Sequence, residues 1–224
     1  MNKTFYTDRS IANSMDPKRT ALIIVDMQND FGHPDGYLGK MGQDVSAVLG
    51  TVPTLVDLVE AARQAGVLVV WTKNEALPAG RSDSPAWLAF KGTAFELDAP
   101  TYTLKDSWGQ KFLEPLEPRE DEPVVVKYRS SAFDHTALDL ILRANGIETV
   151  VVCGCATDAC VESTARSAAY HDYYTQVASD CVASTRPQMH EDAMRVFELF
   201  FTTADSKEFA SSWLKDRDVA TSTD

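Results

Sequence analysis

No hydrophobic run in this chain is long enough to cross a bilayer, and the first twenty residues offer no apolar core of signal-peptide length. Lys3, Asp8, Arg9, Asp16, Lys18 and Arg19 interrupt that segment, so a cytoplasmic location is expected. Positive charge is also in short supply. Lysine and arginine number 21 against 33 acidic residues, a net charge of −12, which argues against nucleic acid or an anionic membrane as a partner. Cysteine is scarce, and its placement excludes more than its number. Cys153, Cys155, Cys160 and Cys181 all lie in the last third of the chain, unlike a secreted disulfide framework, so reduced thiols are expected. A C-x-C pair followed by one further cysteine, with no nearby histidine pair, does not make a zinc site. Internal repeats, low-complexity tracts and interdomain linkers are missing too, and 224 residues suit one domain with a full core.

What is present is a set of short apolar runs rich in β-branched residues. Ala21 to Val25, Val67 to Trp71, Pro123 to Lys127 and Thr149 to Cys153 read as buried parallel strands, with a further strand at Thr175 to Ala178. Helical patterns run from Val48 to Ala65, closed by Gly66, from Ala137 to Ala144, closed by Asn145 and Gly146, from Val161 to about Tyr173, and from Gln188 to Phe201. This alternation predicts an α/β fold: a doubly wound, Rossmann-like, mostly parallel sheet with helices on both faces in a single domain. The expected layout is an N-terminal arm over residues 1–18, the domain over 19–215 and a tail over 216–224. Residues 73–119 hold many proline and glycine breakers, and a segment of that kind is expected in part to cover the active site.

Ligands of open α/β sheets bind at the carboxyl ends of the strands, and three strand ends here carry chemistry. The first ends in Asp26, the third, Pro123 to Lys127, ends in Lys127, and Thr149 to Cys153 leads into Gly154-Cys155-Ala156-Thr157-Asp158-Ala159-Cys160-Val161. A cysteine at a strand-to-helix turn faces free N–H groups, which lower a thiol pKa and can hold an oxyanion. Taken singly, each residue has a plain structural role open to it: Asp26 a turn cap, Lys127 a solvated strand-end charge, Cys160 a small core residue. Their joint placement matches a nucleophile with its base and orienter.

These motifs, with Asp26-Met27-Gln28-Asn29-Asp30-Phe31 after the first strand, resemble the isochorismatase-like cysteine hydrolases over roughly Thr20 to Phe209. That family includes nicotinamidases, N-carbamoylsarcosine amidohydrolase, and ureidoacrylate and biuret-type hydrolases. The resemblance implies Cys160 as nucleophile, Asp26 as general base and Lys127 as the cation that keeps both charged. It also implies a cis peptide from Ala156 to Thr157, with the N–H groups of Thr157 and Cys160 as the oxyanion hole. The family's metal-dependent nicotinamidases carry an Asp-x-His after the second strand, where this chain reads Trp71-Thr72-Lys73-Asn74-Glu75. No metal or other cofactor is therefore expected. Pro34-Asp35-Gly36-Tyr37-Leu38, Gly42-x-Asp44-Val45-Ser46 and Cys160 through Arg166 look most similar to the ureidoacrylate and biuret-type enzymes.

The resemblance thus implies a cysteine amidohydrolase releasing ammonia from a small amide or ureide, acting as a homo-oligomer, dimer or tetramer. A vinyl ether hydrolase using Asp26 as acid, and a non-catalytic thiol redox or interaction protein, are the alternatives. Candidate substrate contacts are Phe31, Trp71 and Tyr128 as an apolar wall and Asn74, Arg186 and Gln188 at a polar end, with Arg186 suited to a carboxylate. Trp108 is expected in the covering loop or in packing, and His135 and His190 are unassigned.

Overall fold

The computed structural model describes residues 15–95 and 102–220. Most of the expected arm (residues 1–14), part of the covering segment (96–101) and the last residues of the tail (221–224) lie outside that range. Six parallel strands form one sheet in the order β3-β2-β1-β4-β5-β6: β1 (Thr20–Val25), β2 (Leu68–Asn74), β3 (Val124–Lys127), β4 (Thr149–Cys155), β5 (Tyr174–Ala183) and β6 (Thr202–Ala204). That is the doubly wound order, with its topological switch point between β1 and β4. The helices are α1 (Asn29–Gly32), α2 (Tyr37–Lys40), α3 (Ser46–Ala65), α4 (Pro85–Phe95), α5 (Leu138–Ala144), α6 (Glu162–Tyr170), α7 (Pro187–Phe200) and α8 (Ser206–Ala220). None of the described helices is long and apolar enough to cross a membrane.

Both faces of the sheet are covered, so its central strands are apolar throughout rather than alternating. All six residues of β1 and all seven of β4 are buried. Side chains alternate between two cores. Leu22 and Ile24 of β1, Val69 and Trp71 of β2, and Val151 and Cys153 of β4 pack with α3 and α8, whose Leu55, Leu58, Phe209 and Trp213 fill that layer. Ala21, Ile23, Val25, Val70, Val150 and Val152 turn to the other side, against Leu138 and Leu142 of α5, Ala165 and Ala168 of α6 and Phe197 of α7.

Four of the expected strands and helix α3, which ends at Gly66 as anticipated, appear within a few residues of their sequence bounds. Two extensions matter for the site. β2 continues three residues past Trp71 to Asn74, and β5 runs to Ala183, with a register shift opposite Val152 and Gly154 that lets the strand continue past its irregular middle. The segment 73–119 contains α4, a regular helix in a stretch read as rich in breakers. β6 and α8 are additions: β6 has three residues, and α8 buries chiefly Phe209 and Trp213 behind an otherwise polar sequence. α8 is tied to the sheet through Asp180, whose carboxylate accepts from Ser206 N–H and Ser206 Oγ, both at 2.7 Å. It continues to Ala220, through the first residues of the expected tail.

At the switch point the two central strands come very close. Gly154 has φ of +111°, and a Cβ there would lie 2.1 Å from the Val25 carbonyl oxygen, so only glycine fits between β1 and the turn that carries Cys160.

Candidate active site

β1 delivers Asp26 into a backbone conformation that disfavours side chains, with φ of 49°. A non-glycine residue in that region costs about 1–3 kcal/mol and persists where its surroundings hold it. Here Asp26 N–H donates to the Thr72 carbonyl (3.3 Å) and Thr72 Oγ1 donates to Asp26 Oδ1 (2.9 Å), so β2 grips both backbone and carboxylate. Lys127, the last residue of β3, reaches the same point. Its Nζ lies 2.6 Å from Asp26 Oδ2 and 3.4 Å from Cys160 Sγ, and donates to the Arg129 carbonyl at 2.9 Å. The ammonium thus has two fixed hydrogen-bond acceptors, the Arg129 carbonyl and Cys160 Sγ, and an ion pair with Asp26. Asp26 and Lys127 are both fully buried.

Cys160 sits in a π-helical turn, Thr157–Val161, between β4 and α6. The Ala156 carbonyl accepts from Ala159 N–H and, across the wider turn, from Val161 N–H, both at 3.1 Å. These two bonds pass over the N–H of Cys160. Among chain insertions of this type, single π turns are frequent at functional sites. The sequence-level expectation of a lowered thiol pKa is not met. Burial pushes the Cys160 thiol up to about 12; Lys127 pulls it down, while the charge of Asp26 and a hydrogen bond from the thiol to that carboxylate push it further up. Desolvation exceeds the pull of Lys127, so the resting group is a thiol. Burial works against the charge of Lys127, but the Asp26 carboxylate beside it raises its pKa, which keeps the ammonium charged.

The expected cis peptide lies one residue earlier than the resemblance implied. The bond from Cys155 to Ala156 is cis, not that from Ala156 to Thr157. Thr157 is fully buried, with its Oγ1 2.9 Å from His190 Nδ1, whereas Ala156 lines the pocket beside Cys160. Ala156, which follows the cis bond, and Cys160 thus share the pocket lining.

The pocket over the thiol is narrow and mostly apolar, and its composition corrects part of the expected substrate wall. Phe31, Asn74 and Arg186 line it. Trp71 does not: alternation along β2 turns it to the α3 core, where it is fully buried, packs on Phe112 at 5.3 Å and donates from Nε1 to Glu122 at 2.7 Å. The strand end lies at Asn74, not Trp71, and this displaced the expectation by three residues. Tyr128 follows Lys127 and points the opposite way, half-exposed, with its hydroxyl donating to Glu75 at 2.9 Å. Gln188 lies on the exposed first turn of α7, with Asp192 as its partner at 3.5 Å, outside the pocket.

Trp87 and Tyr102 complete the pocket and escaped the sequence reading, because only folding brings residues of the breaker-rich segment over the thiol. Tyr102 packs edge-on against Phe31 at 5.3 Å and Tyr37 at 5.8 Å, and burial keeps it a phenol. Lys91 of α4 is buried, pairs with Asp83 at 3.0 Å and lies 5.1 Å over the Tyr102 ring. Asp30 anchors this cover from below: its carboxylate accepts from Tyr37 N–H at 3.0 Å and Thr103 N–H at 2.6 Å. Trp108 is half-exposed and packs edge-on against His33 at 5.0 Å. Arg186 pairs with Asp158 of the π turn, two residues before the thiol. His135 is not among the residues that line the pocket, and among the described residues no group of metal-type side chains converges.

The isochorismatase domain family matches residues 20–208. The chain is 38% identical over 197 residues to ureidoacrylate amidohydrolase RutB of Methylobacterium radiotolerans, covering 84% of this chain and 76% of that protein. Among solved structures, N-carbamoylsarcosine amidase of Thermoplasma acidophilum superposes with a TM-score of 0.66 at 30% identity, over 84% of this chain and 96% of that one. A cysteine hydrolase of Pseudomonas syringae pv. phaseolicola shares the fold with a TM-score of 0.79 at 24% identity, covering 90% and 95%. The chain belongs to the isochorismatase-like hydrolase family.

Proposed function

We propose that this protein is a cysteine amidohydrolase that cleaves the C–N bond of a small linear amide or ureide and releases ammonia. The observation that carries this reading is the buried Lys127 ammonium, 2.6 Å from Asp26 and 3.4 Å from Cys160, beneath the pocket. A thiol that rests protonated needs a base nearby, and the Asp26 carboxylate, paired with the same Lys127 ammonium that contacts the sulfur, is the group so placed.

The cycle balances on these three groups. As Cys160 sulfur bonds to the substrate carbonyl carbon, its proton passes to Asp26, and the new oxyanion lies toward the N–H groups of Ala156 and Cys160. Donors so placed are worth about 2.7–4 kcal/mol each in comparable chemistry. Collapse breaks the C–N bond, and the nitrogen leaves as ammonia with the proton from Asp26. Water then adds to the thioester-type carbonyl, giving its proton to Asp26, and expulsion of sulfur returns that proton to Cys160. Lys127 stabilises Asp26 as carboxylate between the steps.

Arg186 and Asn74 are among the polar residues that line the pocket, with Ser130, Ser184 and Thr185, and a guanidinium fork suits a carboxylate. A ureide that bears a carboxylate fits this arrangement, and the names of the two amidohydrolase relatives support the same class. The test is ammonia release from a panel of ureides and linear amides, by wild type, Cys160→Ala and Asp26→Asn. Release by wild type with loss of at least about a thousandfold in both variants is expected. Wild-type rates in Cys160→Ala would overturn the proposal.

A further inference from the structure

The π turn is gripped by a second element that the catalytic trio does not explain. α7 begins at Pro187 with Arg186 as its N-cap, and His190 N–H donates to the Arg186 carbonyl at 2.9 Å, which places the two side chains one turn apart on the same helix. Each takes hold of a neighbouring residue of the π turn. Arg186 pairs with Asp158, and His190 Nδ1 meets Thr157 Oγ1 at 2.9 Å. Thr157 is fully buried, and it directly follows Ala156, which lines the pocket with Cys160. A buried hydroxyl of this kind loses its partner at a cost, because no water can replace it.

We propose that His190 is a positioning residue for the hydrolysis: through Thr157 it holds the Ala156 to Cys160 backbone in register with Arg186, so that the oxyanion donors and the substrate's polar end are set by one turn of α7. This rests on the hydrolase reading above. It concerns the backbone donors and not the sulfur, since Cys160 Sγ is held separately by Lys127. A small misplacement of such donors is expensive, on the order of a hundredfold for about 1 Å. The prior sequence pattern left His190 without a role because its partner is 33 residues away.

The experiment compares Thr157→Val, which keeps shape but not the hydroxyl, with His190→Leu, His190→Asn and the Thr157→Val/His190→Leu double variant. Steady-state ammonia release and the rate of Cys160 alkylation by iodoacetamide are measured on each. Alkylation forms no oxyanion, so it reports the sulfur and the integrity of the pocket alone. The expected result is a kcat lowered about ten- to a hundredfold in Thr157→Val and His190→Leu, with KM and alkylation near wild type. The double variant should be no worse than the poorer single one, and His190→Asn, which can present a polar atom near the Nδ1 position, should recover most of the loss. Wild-type kcat in either single variant, alkylation falling in step with turnover, or His190→Asn as poor as His190→Leu would overturn it. Cys160→Ala run in parallel separates the two readings: if it stays active the hydrolase mechanism fails, and if it is dead while the clamp variants are normal only the clamp fails.

Discussion

The most consequential residue is Lys127, because it is a fully buried cation held by an ion pair with Asp26 and by two hydrogen bonds, to the Arg129 carbonyl and Cys160 Sγ. Removing one member of a buried ion pair strands the other, which typically costs about 3–5 kcal/mol. Lys127→Met should therefore destabilise the fold by about that amount in denaturant unfolding, while Asp26→Asn/Lys127→Met, which leaves no net charge behind, should recover a large share of it. Equal stability of the single and double variants would show that the pair is not coupled. Both variants should lack ammonia release, which separates the electrostatic role in folding from the role in chemistry. Asp26, Lys127 and Cys160 were legible as candidates because each ends or follows a recognisable apolar run. The resting state of the thiol was not legible, since the balance between burial and one nearby cation depends on depth, and depth is a tertiary quantity.

Among the elements, the cover built from α4 and the Tyr102 to Leu113 segment decides what reaches the thiol. It is fastened at two points, by the buried Lys91–Asp83 pair and by Asp30 beneath Thr103. Gly109 is part of the second fastening: a Cβ there would lie 2.1 Å from Asp30 Oδ1, so with Asp30 in its present place the chain passes over that carboxylate as glycine. Gly109→Ala must displace either the carboxylate or the loop. Turnover is expected to fall about tenfold or more, with KM rising, because Tyr102 and Asn74 are wired to the same loop through Thr103. Unchanged kinetics in that variant would mean that the cover adjusts freely. Sequence reasoning placed the cover in the right segment from its density of breakers, yet missed Trp87 and Tyr102 and chose Trp71 in their stead. A strand's last residue is hard to locate from its apolar run when polar residues such as Thr72, Lys73 and Asn74 continue the ladder.

For the molecule as a whole, four thiols sit in the two cores or at their edge, and all are free. Burial raises the pKa of Cys153, Cys155, Cys160 and Cys181 in the folded chain. In the unfolded chain they titrate near 8.5. Each such group adds stability in full below the unfolded pKa, and this is lost as pH rises above it toward the folded value. The midpoint of thermal unfolding should thus decline from about pH 8.5 upward under reducing conditions, and the decline should be shallower in a Cys153→Ala/Cys181→Ala variant. An alkaline slope identical in wild type and variant would assign the effect to other groups. The Cys155 sulfur, which donates to the Asp26 carbonyl at 3.2 Å, is left in place because it belongs to the site's frame.

The α/β class, the parallel sheet and the three strand-end groups follow from the sequence alone, because buried strands and capped helices write their period and their punctuation locally. Only the tertiary structure decided which aromatics face the thiol, where the cis peptide falls, that α7 grips the π turn, and that Cys160 rests as a thiol. Each of those depends on which side chains meet across distant segments and on how far water is excluded, and neither is written in any one stretch of chain.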